Sequence, residues 1–566
     1  VISQKTNLYL YQCFHDYLIL LIMVNLMNTR PNFILILADD MGYSDLGCFG
    51  SEIDTPNIDS LAKNGLRFSQ MYNSARCCPS RAALLTGLNP QQTGVGHMVN
   101  DMGIPAYQGY LNNNCATIAE VLKTNGYTTL MSGKWHVGGS YNLLDENTWN
   151  PGDQRHPTPI QRGFDQFYGI VAGAANFFHP RTLMKNETLI GIDPPDFYLT
   201  DAISENAISM ITKASAEDNP FFLHVAYTAP HWPLHALEED IAKYRGTYSG
   251  GWDSLRKNRH EEQKGMGIVD KNWDISPRDS SSRPWKEAQN KEWEDSRMAT
   301  YAAMIDRMDQ GIGKIVSKLK DLGEDKNTVI MFLSDNGGCA EFLAEDTNRP
   351  DPSQYSSPTR DGRSVTVGNR KDIEPGPDTT FMSYDLPWAN ASNTPFRRFK
   401  RWTHEGGIST PFILNWPEKI SKPSIISEAT HIIDISATIY EAANARYPSE
   451  INGNATKPLE GRSFMQAVES DSWERKEPIY WEHEGSKAMR YGEWKLVSEV
   501  GHNWELYNML EDRTELSDLL DGESDRFKEM LSSYKEWMAR CEVQNWPLPG
   551  HLWNPEMISS HAHRSG

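Results

Sequence analysis

Asn32-Phe33-Ile34-Leu35-Ile36-Leu37-Ala38 runs straight into Asp39-Asp40. An apolar run of this length suits a strand buried on both faces, as in a parallel sheet. The pattern recurs along the chain. Residues 128–132 lead into Lys134-Trp135-His136, residues 221–227 into Ala229-Pro230-His231, and residues 328–334 into Asp335-Asn336. Ligands of such sheets bind beyond the carboxyl ends of the strands, so four strands are expected to deliver reactive groups to one rim.

The segments between these runs read as helices. Thr55 is placed to cap a helix with Pro56 at its first position and Gly65 after its end. Thr117 and Glu120 form a capping box, with Gly126 as the stop. A long helix over 301–320 puts Met304, Ile305, Met308, Ile312, Ile315 and Leu319 on one core face. Alternation of this kind implies a doubly wound α/β sandwich. Segments 239–294 and 339–393 read as long polar loops bordering a pocket. Segment 444–458 reads as a boundary. The remainder of the chain reads as short strands at 478–482 and 494–498 with an amphipathic helix at 526–540. The organisation expected is a leader over 1–28, a main domain over 29–445 and a small α+β domain over 446–566.

At 566 residues the chain can bury a large core, and its net charge of −20 argues against a nucleic-acid or anionic-membrane partner. An acidic protein that handles an anion must concentrate cations locally. Seven cysteines, at 13, 48, 77, 78, 115, 339 and 541, are too scattered for a disulfide framework and show no CxxC pair. The apolar stretch 17–24 is too short to span a bilayer. It reads equally as a degenerate signal peptide, implying a periplasmic or secreted protein, or as a non-native leader on a cytoplasmic one.

Asp39, Asp40, Asp335 and Asn336 are hard oxygen donors at strand tips. Three converging carboxylates raise one another's pKa, a conflict that a divalent cation resolves. Oxygen-only ligation points to Ca²⁺, with Mg²⁺ second, and away from zinc. Cys77-Cys78-Pro79-Ser80-Arg81, followed by Ala82-Ala83-Leu84-Leu85-Thr86-Gly87, sets a cysteine just ahead of a first-turn proline. That is the start of a helix, where backbone N–H groups favour an anion.

These stretches, with Gly133-Lys134-Trp135-His136-Val137-Gly138, Leu333-Ser334-Asp335-Asn336-Gly337-Gly338 and His404-Glu405-Gly406-Gly407, resemble the type I sulfatases of the alkaline phosphatase-like superfamily. The resemblance runs from Arg30 to about Leu520. It implies a large mixed, mostly parallel sheet between helices and a C-terminal domain with an antiparallel sheet. It further implies that Cys77 is oxidised to formylglycine by a maturation enzyme. Calcium would be held by Asp39, Asp40, Asp335, Asn336 and residue 77. Arg81 would neutralise the hydrated aldehyde, Lys134 and His136 would position it, and His231 and Lys400 would hold the sulfate. The implied activity is hydrolysis of aryl sulfates or sulfated saccharides. Lys400 sits in Arg397-Arg398-Phe399-Lys400-Arg401, where a solvated basic loop is the plain alternative. Two other readings stay open: a formylglycine-dependent phosphonate or phosphodiester hydrolase, and a non-catalytic protein that binds sulfated glycans. His97, His235, His404 and His483 read as structural, and Trp481-Glu482-His483-Glu484 reads either as reaching the pocket to contact the leaving group or, at least as readily, as a core strand or surface hairpin outside the site.

Overall fold

The structure, a computed structural model, describes residues 30–192, 195–345, 355–470 and 472–548; the expected leader, 1–28, lies outside them. Its centre is an 11-stranded sheet. From one edge the strands run Ser424–Ile426, Leu66–Tyr72, Ser409–Asn415, Thr328–Ser334, Asn32–Ala38, Phe221–Ala226, Thr128–Gly133, Gln166–Ile170, Leu183–Lys185 and Thr188–Leu189, with Thr430–His431 also paired to Leu66–Tyr72. The four central strands are parallel, in register Ile34↔Ile330, Ile34↔Leu223 and Leu130↔Leu223. They are the four runs read from the sequence. Ser409–Asn415 pairs antiparallel on one side and Leu183–Lys185 on the other, so the sheet is mixed and mostly parallel.

Asn32–Ala38 is buried throughout, and its side chains divide between the two layers. Ile34, Ile36 and Ala38 face one core, with Met304, Met308 and Ile312, while Phe33, Leu35 and Leu37 face another, with Leu84 and Leu122. Burying such side chains contributes roughly 1.5–3 kcal/mol each, which is why a continuous apolar run belongs here.

The helix expected at 301–320 spans Lys291–Leu322. Its first turns bury Trp293 and Met298, so the apolar stripe begins earlier than the sequence window suggests. Segment 239–294 is more regular than a loop. It holds helices Glu238–Tyr244 and Gly251–Met266, the latter charged but burying Trp252, Leu255, Arg259 and Gln263 on one side. Segment 339–393 carries a two-stranded pair, Thr366–Val367 with Thr380–Phe381, and the helix Asp385–Ser392. The Thr117–Glu120 capping box forms as read, at 2.7 and 3.1 Å. Thr55 occupies its N-cap position, but its hydroxyl donates to Asp59 and accepts from the Gly47 N–H instead of capping.

The C-terminal sheet, Ile479–His483, Ser486–Tyr491, Trp494–Ser498 and Glu505–Asn508, is an antiparallel meander. Period-two alternation gives it two apolar faces. Ile479, Trp481, Ala488, Val497 and Tyr507 pack on Tyr72, Ala75 and Ile408 of the main domain. Met489, Leu496 and Leu506 pack on Met530, Tyr534 and Trp537 of the terminal helix Ser524–Arg540. The Glu484-Gly485 turn joining the first two strands has both residues at positive φ (50° and 83°), the two-residue hairpin geometry that matches strand twist. That turn points toward the carboxyl ends of the central strands.

Candidate active site

Four strand ends meet at one place. Asp39 and Asp40 follow Asn32–Ala38, Lys134 and His136 follow Thr128–Gly133, His231 follows Phe221–Ala226, and Asp335 and Asn336 follow Thr328–Ser334. Cys77 opens the helix Cys77–Thr86, whose next turn carries Arg81. All these residues and Lys400 are buried. Asp40 and His136 adopt φ of 65° and 54°, strained for residues with side chains and a mark of a site that its surroundings over-determine.

The acidic and basic groups interlock. Lys134 Nζ lies 2.6 Å from Asp39 Oδ2, and Arg81 Nε donates to Asp335 Oδ2 at 2.9 Å. Lys400 Nζ donates to Asp40 Oδ2 at 2.8 Å, and His231 Nε2 lies 3.4 Å from the same oxygen. Asn336 Nδ2 donates to Asp40 Oδ1 at 2.8 Å, and the Asp40 N–H to Asp335 Oδ1 at 3.2 Å. Every residue singled out from the sequence is therefore in one cluster, including Lys400. Its loop is tied on both sides: Lys400 N–H to Gly338 O at 3.1 Å, and Arg401 N–H to Ala75 O at 2.7 Å. Gly406 and Gly407 permit this, since a Cβ on either would meet the carbonyl oxygens of Arg398 or Trp402 at 2.2 and 2.0 Å.

The electrostatics are those of crowded charge. Burial works to raise the Asp39 carboxyl, but Lys134, His231 and Arg81 outweigh it and hold it below its ordinary value. Asp335 is pushed well up, by burial first and then by Asp39, against the pull of Arg81. The Cys77 thiol is drawn well down, first by its bond with Cys78 and, against burial, by His136 and Lys134. Burial, reinforced by Lys134, pushes His136 down to about 4, leaving a neutral imidazole. Cys78 Sγ lies 4.0 Å from Cys77 Sγ and 3.3 Å from His136 Nε2.

The oxygen cluster fits a hard divalent cation. Asp39 Oδ1 and Asn336 Oδ1 are buried acceptors without a hydrogen-bond partner among the described residues. Unpaired acceptors beside a carboxylate with a raised pKa are what a cation would satisfy.

Sequence reasoning missed the outer wall. Glu341 Oε1 accepts from Arg76 at 2.9 Å, while its Oε2 accepts from Trp232 Nε1 at 2.9 Å and lies 3.9 Å from Lys400. Burial opposes ionisation of Glu341, yet Lys400 and Arg76 hold its carboxyl far below the ordinary range. Arg76 also lies 3.6 Å from Glu484, at the C-terminal hairpin turn. Arg76 was legible only as the neighbour of Cys77, and Glu341 carried no signal within its polar segment. Of the four histidines read as structural, His235 is bound to the Phe177 N–H and Thr380 O, and His404 lies 3.4 Å from Glu505. His97 and His483 instead meet at Glu484.

Among the described residues no helix is long and apolar enough to cross a membrane. A family model described as Sulfatase matches residues 31–445, and one described as N-sulphoglucosamine sulphohydrolase, C-terminal, matches residues 396–544. An uncharacterised sulfatase of Schizosaccharomyces pombe is 32% identical over 560 residues, covering 92% of this chain and 95% of that protein. An arylsulfatase of Klebsiella aerogenes is 34% identical over 461 residues, covering 77% and 91%. Among solved structures, Ps i-CgsB in complex with k-i-k-neocarrahexaose superposes with a TM-score of 0.64 at 26% identity, covering 94% of this chain and 97% of that one. With this match over most of its length and sulfatase relatives above 30% identity, the chain belongs to the sulfatase family and is a hydrolase of sulfuric esters.

Proposed function

We propose that the protein releases sulfate from aryl or saccharide sulfate monoesters, with residue 77 as a formylglycine nucleophile and calcium in the oxygen cluster. The observation that carries this is the convergence of Cys77, at a helix N-terminus, with the Asp39, Asp40, Asp335 and Asn336 oxygens and a ring of buried cations. Hydrated formylglycine would offer one hydroxyl to attack sulfur and a second to expel sulfate as the carbonyl re-forms. Calcium bound by the four oxygen residues would offset the charge gathered on the ester oxygens.

This chain's own side chains would do the rest. The Cys77 helix N-terminus and Lys134 would face the sulfate oxygens. The neutral His136 would take the proton when sulfate is expelled, a role its low pKa permits near neutrality. His231 Nδ1 lies 2.5 Å from Trp232 O, which leaves Nε2 facing the cluster to protonate the departing alcohol. Lys400 would hold the bridging oxygen. A saccharide leaving group is supported by the neocarrahexaose complex of Ps i-CgsB and by an N-acetylgalactosamine-6-sulfatase of Mus musculus, 25% identical over 87% of this chain.

Peptide mass spectrometry across residue 77, after co-production with a formylglycine-generating enzyme, tests the nucleophile. Loss of the thiol sulfur for an aldehyde, together with sulfate release from an aryl sulfate, is expected. An intact thiol in an active preparation would overturn the formylglycine step, and faster turnover of an aryl phosphodiester would overturn the assignment of sulfate as the preferred ester.

A further inference from the structure

We infer that His97, His483 and Glu484 form a binding site for a zinc-like divalent transition metal, separate from the oxygen cluster and joining the C-terminal sheet to the main domain. One donor atom from each of the three lies within 4.8 Å of the others. His97 Nε2 is 2.9 Å from Glu484 Oε1, and His483 Nε2 is 3.9 Å from the same oxygen. The imidazole centroids are 5.6 Å apart with planes 22° from parallel. Donors about 2 Å from a common ion sit roughly 3.3 Å apart around a tetrahedron, so a small closure of these side chains suffices.

A hydrogen-bonded cluster does not account for His483. Its ring is 1% exposed, and neither Nδ1 nor Nε2 has a hydrogen-bond partner among the described residues. A neutral imidazole always carries one N–H donor and one lone-pair acceptor, and leaving both buried and unpaired is unfavourable. A cation would satisfy the nitrogen that carries the lone pair, one of the two unpartnered atoms of this ring. Two imidazoles and one carboxylate suit zinc and its neighbours, not calcium, and leave a fourth position open.

The surrounding charges are compatible. Arg401 Nε pairs with Glu484 Oε2, which turns Oε1 toward the two rings, the usual outer partner of a ligating carboxylate. Arg76, 3.6 Å from Oε1, is engaged more closely by Glu341. The ligands come from both parts of the chain. His97 belongs to the main domain, while His483 and Glu484 end the first C-terminal strand and begin its turn, two residues after Trp481, whose Nε1 donates to Asn73 O at 2.7 Å. An ion there would lock the hairpin beside Arg76, the residue before the nucleophile.

Cobalt(II) titration of the untagged, chelator-treated full-length protein, with excess calcium present to hold the oxygen cluster, tests the site. One equivalent should bind with ligand-field bands of four-coordinate intensity, without thiolate charge transfer, and should raise the melting temperature. His483→Phe and His97→Ala should abolish the bands, and Glu484→Gln should weaken binding by about tenfold or more. Absence of uptake by the wild type overturns the proposal whatever the variants do. So does a thiolate charge-transfer band, which would place the ion at Cys77, Cys78 and His136, and so does uptake that survives in His483→Phe. The ligand-field bands of the His97, His483 and Glu484 site do not involve residue 77, so failure here leaves the sulfatase chemistry untouched, and failure of that chemistry leaves this site standing.

Discussion

Lys400 shows how much a single residue's meaning depends on its surroundings. Within a run of four cations in five positions it has the composition of a solvated loop. In the fold it is buried, 2.8 Å from Asp40 Oδ2, and its ammonium is held well above the ordinary range: burial opposes the charge, but Asp40 and the other acidic neighbours overcome it. A permanent cation aimed at a developing anion is worth about a hundred- to a thousandfold in rate where such donors have been removed. Lys400→Ala is therefore expected to lower kcat for an aryl sulfate by about that factor, read as sulfate release. Unchanged turnover would leave Lys400 as a structural partner of Asp40 with no part in catalysis. Asp39, Asp40, Asp335 and Asn336 were legible because they end apolar runs. Glu341 was not, because nothing local distinguishes a polar residue in a long loop from one that pairs with Arg76 and Trp232.

The first strand of the C-terminal sheet is the element where local sequence says least about place. Its residues suit a core strand or a surface hairpin at least as well as a segment that reaches the pocket, and in the fold it is a buried strand whose turn brings Glu484 within 3.6 Å of Arg76. Glu482, on this strand, accepts from Gln91 and Tyr107. Burial raises its carboxyl from 4.5 to about 7 against the pull of these donors and the Gly485 N–H. The folded protein thus binds this proton more tightly than the unfolded chain. The resulting stability is fully present below pH 4.5 and is lost as pH rises toward 7. The shift corresponds to about 3 kcal/mol at most. Thermal melts between those pH values should show the wild type losing stability more steeply than Glu482→Gln, which keeps a neutral side chain and both donors; parallel profiles would contradict the raised carboxyl. Helix Gly251–Met266 escaped the sequence reading for a related reason. Its buried face includes Arg259, which pairs with Asp45 at 2.6 Å and Glu52 at 2.9 Å, so the apolar stripe is interrupted by a charge that only tertiary partners satisfy.

At the scale of the whole molecule, the C-terminal sheet is held to the main domain by packing and by a fully buried ion network. Lys495 Nζ lies 2.8 Å from Glu405 Oε1 and 2.7 Å from Glu515 Oε1, and Arg513 Nε lies 2.8 Å from Glu405 Oε2, all with no exposure. Removing one partner from such a network leaves a charge buried and uncompensated, at a cost of about 3–5 kcal/mol. Lys495→Met should lose that much stability in urea unfolding, since Glu515 and one Glu405 oxygen lose their cation; a loss below about 1 kcal/mol would mean that the network does not bind the two parts together. The sequence by itself determined the parallel core, the place of Cys77 at a helix start and the oxygen donors at strand tips. These are local facts: an apolar run followed by a polar tip carries its own period and its own terminus. Only the tertiary structure decided that Lys400 faces Asp40, that Glu341 and Arg76 wall the site, and that His97 meets His483 and Glu484. Those pairings join residues tens to hundreds of positions apart, where burial and charge are set by what the fold brings alongside and not by the neighbours in the chain.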